Sequence, residues 1–486
     1  MLDYVKDKVL EPYKDLDRKK LRDDLAKLQR DIINENIPVL IMVDGFESSN
    51  RGYIINEIVK NLDTKHYKVN VFDKFKDENK DYNYTVNFWR AIPAYGDISV
   101  FYRSMYFDLF NDLKIDDNDL KDKIQQLEQH ERFLANDNHI VLKFFMDIDE
   151  KTQKKNIKDL EEDRFKEFLV SKPDKDQQKH FDKYKKHISK ILEMSDFDFA
   201  KWNIIPAEDK KMAATMVLSI IIEEIKSQMK AIKENKKKDE EFKFNSKNDK
   251  KIIESIDTKQ KISEKEYDNI KSDLQDKVGE LAYELYKREI PTIILFEGID
   301  AAGKGGTIER LVNEIDPRVY NINPISAPSD AELDHHYLWR FFNNMPKKGH
   351  IAIFDRSWYG RVLVERVEKF ANEKTWSRAY DEINTMEEML IDQGVFLLKY
   401  HLVISRDEQE RRFKDREDEK PYKITDEDWR NRDKWDEYII AMDDMIHYTS
   451  TTKSPWKVIS SEDKKFARIE VLKDFIERAE KFLKDE

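Results

Sequence analysis

The chain predicts an α/β protein made of two tandem three-layer αβα sandwiches with parallel sheets, the N-terminal copy degenerate. Three observations lead there. Short β-rich apolar runs alternate with helical segments, which marks βαβ units whose sheet is covered on both faces. The order of blocks in the first half recurs in the second, with shifts of only a few residues. Finally, 486 residues exceed what one core supports, and 27 Phe, 21 Tyr and 8 Trp need burial, so two folded domains are expected.

Each element follows in order. Residues 15–33 carry Leu and Ile at helical spacing and predict a leading packing helix. Residues 38–43 read as a first strand and 67–72 as a second; Gly96 precedes a third, which ends in Phe101-Tyr102-Arg103-Ser104, and 140–147 is a fourth apolar run. The second half repeats this: a helix over 264–288, strands over 291–296, 319–323 and 351–354, the last ending in Phe354-Asp355-Arg356-Ser357, and a strand over 395–404. Phe88-Trp89-Arg90 returns as Leu338-Trp339-Arg340, and Trp202 with Glu208-Asp209-Lys210-Lys211 returns as Trp456 with Glu462-Asp463-Lys464-Lys465. Residues 231–264, rich in Lys, Asp, Glu, Asn and Ser, predict a charged linker or exposed helical connector between a domain over 1–230 and one over 265–486.

Composition narrows the function. The chain has no cysteine, which excludes disulfides, thiolate nucleophiles and cysteine metal sites and suits a reducing compartment. No apolar stretch reaches the ~18 residues of a membrane span, and residues 1–30 are charged throughout, so a cytoplasmic protein without a membrane partner is expected. A net charge of −12 argues against nucleic acid as a partner, so any polyanionic substrate needs a local basic channel. A homo-oligomer stays open.

The chemistry concentrates at Gly298-Ile-Asp-Ala-Ala-Gly303-Lys304-Gly305-Gly306, between an apolar strand and a helical pattern beginning near Thr307. This is the spacing of a P-loop, or Walker A cradle, whose glycines and Ala301 and Ala302 let backbone N–H groups converge on phosphate while the lysine meets terminal phosphates. The plain alternative is an ordinary strand-to-helix turn. Gly305 stands where P-loops usually carry a Ser or Thr magnesium ligand. Asp300 in the loop and Asp355 at a strand end, as in a Walker B motif, are therefore the candidate Mg2+ ligands, although Asp355 also suits a helix N-cap. Arg356 shares that sheet edge and points to phosphate contact rather than a salt bridge. After the strand over 395–404 come Arg406, Arg411, Arg412, Lys414 and Arg416 on a helical run; Arg412 and Arg416 share a face and predict a cationic lid, against a solvated helix paired with Glu408, Glu410, Asp415 and Glu417. His335-His336 lack a third ligand nearby and read as structural, and Trp339, Trp358 and Tyr359 as core or pocket wall.

These blocks together resemble the polyphosphate kinase 2 family. They are the glycine cradle, Leu333-Asp334-His335-His336-Tyr337-Leu338-Trp339-Arg340-Phe341-Phe342, Phe354 to Arg361, Glu408-Gln409 ahead of Arg411-Arg412, and Pro455-Trp456 ahead of Asp463-Lys464. The likeness covers 265–486 strongly and the first half weakly, as in the two-domain form of the family. It implies two P-loop-kinase-like domains, inorganic polyphosphate as donor, AMP as acceptor, ADP as product and Mg2+ as cofactor. It also implies that Tyr359, Arg361 and Glu365 contact the acceptor nucleotide, with helix packing as the alternative. Compatible roles are Lys304, Arg356 and the lid arginines 411, 412 and 416 on anionic oxygens, and Asp300 and Asp355 on the metal. In the first half Glu47 replaces Asp300, Arg51 replaces Lys304, Tyr102 replaces Asp355, and Lys155, Asn156 and Leu160 replace the lid cations, so no catalysis is expected there. The rival readings are ADP or another nucleotide as acceptor, an ATP-dependent nucleoside monophosphate kinase, and a non-catalytic polyphosphate-binding protein.

Overall fold

The computed structural model describes residues 1–72, 81–82, 84–239, 241–248, 251–419 and 426–485. The chain forms two compact units, one of Met1–Asn79, Asn87–Lys237 and Asp330–His336, the other of Lys80–Val86, Lys238–Ser329 and Tyr337–Glu486. In the first, strands β1 (Val39–Gly45), β2 (Tyr67–Val71), β3 (Ile98–Tyr102), β4 (Ile140–Asp147) and β5 (Trp202–Pro206) pair in the order β2-β3-β1-β4-β5. In the second, β6 (Thr292–Glu297), β7 (Tyr320–Pro324), β8 (Ile351–Asp355), β9 (Phe396–Val403) and β10 (Trp456–Ser460) pair as β7-β8-β6-β9-β10, the same topology. Every pairing is parallel, so both faces need helices, and the central strands β1, β4, β6 and β9 are buried along their full lengths.

The leading helices form where helical periodicity predicts. Arg18–Asn34 is capped by Asp17 and buries Leu25, Leu28 and Ile32; Glu264–Lys287 is capped by Ser263 and buries Val278, Leu281, Ala282 and Leu285. Each core also holds one matched ion pair. Lys143 donates to Glu131 at 2.8 Å and to Ser195 O at 2.8 Å; its counterpart Lys399 donates to Glu387 at 2.8 Å and to Thr449 O at 2.7 Å. Tyr106 and Tyr359 donate their hydroxyls to the same two carboxylates, at 2.6 and 2.8 Å. No helix among the described residues is long and apolar enough to cross a membrane.

The start of the expected linker is helical, as in its helical-connector alternative: Lys210–Asp239 runs unbroken past residue 231, because Ile221, Ile225 and Met229 among other buried residues carry the helix onward. Residues 241–248 and 251–253 are mostly exposed but anchored, with Phe244 and Ile253 docked within the second unit. The edge strands β5 and β10, absent from the sequence reading, open at Trp202 and Trp456.

Candidate active site in the second repeat

The site lies at the carboxyl ends of β6 and β8, the edge where ligands bind in open parallel sheets. β6 leads through Gly298 into the cradle and the Lys304–Leu311 helix. Gly298 has φ +138°, and a Cβ there would lie 2.4 Å from Leu402 O, so only glycine lets the loop cross β9. Gly303, at φ +99°, turns the chain into the helix. Opposite the loop, β8 ends at Asp355, and Arg356 follows in the left-handed region at φ +65°, a strained conformation typical of functional sites.

Asp300, Lys304, Asp355 and Arg356 come together here. Arg356 donates to Asp300 Oδ1 at 2.5 Å, and Asn431 donates to Oδ2 at 3.2 Å. Burial lifts the Asp300 carboxyl, but Arg356 and Lys304 outweigh it and hold the group below the usual carboxylate range. Lys304 donates to Gly298 O at 2.7 Å; burial pushes its ammonium below an ordinary lysine, and Arg356 adds to the effect. Burial also raises Glu297, which accepts from Ser357 Oγ at 2.8 Å beneath the loop. The carboxylate of Asp355 makes no hydrogen bond or ion pair among the described residues.

The lid residues separate. Arg412 is buried and points under the loop, donating to Ala301 O at 2.9 Å and to Ser461 O and Glu462 O. Its counterpart Asn156 makes the same clamp on Ser48 O at 2.9 Å, so Arg412 braces the cradle from beneath. Arg411 is exposed and paired with Glu408 and Asp415, as in the solvated-helix alternative. Arg416 is half-buried on the same helix, without an ion pair among the described residues. What covers the loop lies further on: Asn431, Trp435, Tyr438 and Met442 line a cavity with Asp300, Arg356, Gly360, Leu363 and Val364. No motif announces these residues in sequence. Tyr359 does not line the cavity, since it is fully buried with its hydroxyl committed to Glu387; Trp358 is buried against the same carboxylate at 3.0 Å. Arg361 and Glu365 pair with each other at 2.7 Å outside the cavity lining. No group of three or more metal-ligating side chains occurs among the described residues, the two histidines included.

Beside the cradle the chain is open and basic. A Cβ at Gly305 would meet nothing within 4 Å, and one at Gly306 would lie 3.1 Å from Arg468 Nη2. Burial and the neighbouring Arg412 lower the Lys464 ammonium, and neither Lys464 nor Arg468 has an ion pair among the described residues.

The first repeat is a built-in control. Its loop keeps positive φ at Gly45, Ser48, Asn50 and Arg103, matching Gly298, Ala301, Gly303 and Arg356. Its charged side chains pair with one another. Glu47 bridges Arg51 at 2.7 Å and Arg103 at 2.9 Å, all three buried, and the Glu47 N–H donates to Gln177 Oε1 at 2.8 Å. Tyr53 fills the place of Gly306, with Lys210 5.1 Å from its ring centre.

One buried group near the site sets a pH response. His401 pairs with Glu297 in the β6–β9 register and is pushed down to about 3, first by burial and then by Lys304. Above pH ~6.5 the ring is neutral whether folded or unfolded. Below that the unfolded chain gains a proton the folded one refuses, so stability falls toward pH 3 by up to about 1.4 kcal/mol per pH unit. The first repeat carries Phe145 at this position, and urea unfolding across pH 4–7 should show a shallower acid loss for His401→Phe.

The family model described as Polyphosphate kinase 2 (PPK2) matches residues 11–233 and 261–486. A curated Polyphosphate:AMP phosphotransferase of Pseudomonas aeruginosa is 34% identical over 472 residues, covering 95% of this chain and 95% of that protein. One of the same name from Acinetobacter johnsonii is 35% identical over 451 residues, 90% of each chain. A crystal structure assigned to polyphosphate kinase 2 from Pseudomonas aeruginosa PA01 superposes with a TM-score of 0.82 at 31% identity, covering 99% of this chain and 97% of that one.

Proposed function

The chain belongs to the polyphosphate kinase 2 family, and we propose that it transfers the terminal phosphoryl group of inorganic polyphosphate to AMP, with the reaction confined to the second repeat. The observation that carries this is the pairing of an open Asp300-Lys304-Asp355-Arg356 edge in one repeat with a sealed Glu47-Arg51-Arg103 triad in the other. Full-length similarity to proteins named polyphosphate:AMP phosphotransferase supports the choice of donor and acceptor.

In this reading the polyphosphate terminus lies on the cradle N–H groups, with Lys304 leaving Gly298 O for the transferred group. An oxygen of the AMP phosphate attacks the terminal phosphorus, the new P–O bond forms, and the bond to the bridging oxygen breaks, releasing a chain shorter by one unit. A phosphate monoester with a second pKa of about 6 is mostly deprotonated at neutral pH, so no general base is required. Asp300, a weaker base than an ordinary carboxylate, therefore orients Arg356 rather than taking a proton. Catalysis is positioning plus charge neutralisation. Asp355, with its free carboxylate, and Asp300, with lone pairs beyond those it uses, suit Mg2+, a hard cation held by one or two carboxylates plus phosphate oxygens. When bound, the ion would neutralise charge on the transferred group. The cavity beside Asp300 has about 80 Å³ free, against ~300 Å³ or more for a typical ligand pocket, so nucleotide entry requires the Trp435–Thr449 wall to shift.

The test is to incubate the protein with AMP and Mg2+ plus either polyphosphate or ATP. ADP should form with polyphosphate; formation with ATP alone rejects this donor.

A further inference from the structure

Residues 234–260 fall outside both stretches matched by the family model, yet part of this segment packs on a helix that lines the acceptor cavity. The Trp435–Thr449 helix supplies Trp435, Tyr438 and Met442 to that cavity from its first half, and Asp443, Asp444 and Tyr448 to the segment from its second. Phe244 sits between helices: its ring centre lies 5.0 Å from Trp376, 6.0 Å from Tyr380 and 5.8 Å from Tyr448. Its N–H donates to Glu373 Oε1 at 2.7 Å, the Lys247 N–H to Tyr448 Oη at 2.7 Å, and the Ile253 N–H to Asp443 Oδ1 at 2.8 Å.

Asp444 is where the contacts meet. Ser246 Oγ donates to its Oδ1 at 2.8 Å, and Arg366 donates to its Oδ2 at 2.8 Å. Arg366 belongs to the Val364–Val367 helix, which begins at a cavity residue, and it also donates to Tyr380 Oη at 2.9 Å. The segment thus ties together two cavity walls without entering the cavity.

We propose that residues 244–248 and 251–253 act as a strap that positions the Trp435–Thr449 and Val364–Val367 walls for the acceptor nucleotide, with Phe244 and Ser246 as positioning residues. The proposal rests on the assignment of this cavity to the acceptor. Among the described residues the strap contacts neither the cradle nor Asp355, so it governs acceptor binding and leaves donor binding and the chemical step alone. A residue that only held the fold together would lower the folded fraction and not the affinity of the folded enzyme for one substrate.

The test compares full-length wild type with Phe244→Ala, Ser246→Ala and Ser246→Thr, the last retaining the hydroxyl. KM for AMP at saturating polyphosphate should rise about tenfold in Phe244→Ala and severalfold in Ser246→Ala, with kcat and the KM for polyphosphate within about twofold of wild type. Ser246→Thr should recover the wild-type KM. An unchanged KM for AMP in both Ala variants, or a fall in kcat alone, overturns the proposal; if Phe244→Ala fails to fold, Ser246→Ala carries the same comparison. Hydrogen exchange across residues 435–449, read without substrate, should quicken in Ser246→Ala, and unchanged exchange again overturns the strap. Because exchange needs no turnover, it separates failure of the strap from failure of the assigned reaction, which would show as no ADP from wild type.

Discussion

Lys304→Ala and Asp355→Asn will each lower turnover of AMP and polyphosphate about a hundredfold or more, roughly 3 kcal/mol of lost transition-state stabilisation. Lys304 opens the helix behind the cradle and holds a loop carbonyl that a phosphate oxygen can displace. Asp355 keeps its carboxylate free of protein donors among the described residues, at the end of the strand beside β6. The matched changes Arg51→Ala and Tyr102→Phe, normalised to folded protein, should leave kcat within about twofold, because Glu47 already engages both arginines of the first cradle. Initial rates of ADP formation decide. If the first-repeat changes were the damaging ones, the assignment of working and silent repeats would be reversed.

Lys399→Ala should destabilise the second unit by about 3–5 kcal/mol, the cost of leaving a buried carboxylate without its counter-charge. Both side chains are fully buried, and Glu387 gathers Trp358, Tyr359, Ser454 and Lys399 around one charge. Replacing both partners, as Lys399→Met with Glu387→Leu, should not recover the loss, because Trp358, Tyr359 and Ser454 would then lack their buried acceptor. Urea unfolding followed by circular dichroism reads both variants. A Lys399→Ala protein as stable as wild type would mean that the pair is not the centre of that core.

Much of this was legible from residues alone, for physical reasons. The strands β1, β4, β6 and β9 are apolar runs because they are buried on both faces, and that burial also sets their repeat across the two halves. The edge strands Trp202–Pro206 and Trp456–Ser460 are short and only partly buried, so their composition carries little strand signal. The cradle declares itself through its glycines, of which Gly298 has no room for a Cβ against the Leu402 carbonyl. The bracing by Arg412 was not legible, because helical spacing says which side chains share a face, not that three loop carbonyls wait beneath one of them. Asn431, Trp435 and Tyr438 reach Asp300 across more than a hundred residues of chain, and nothing local to them reports that meeting.

The turn kept in the first repeat has its own consequence. Ser48, Asn50 and Arg103 still hold left-handed backbone, at φ +58°, +67° and +64°, as if glycine-lined chemistry were in place. The backbone mould is therefore kept, and only the side chains on it differ. Reviving a second reaction centre in this chain is a problem of exchanging a handful of side chains, with no loop to rebuild.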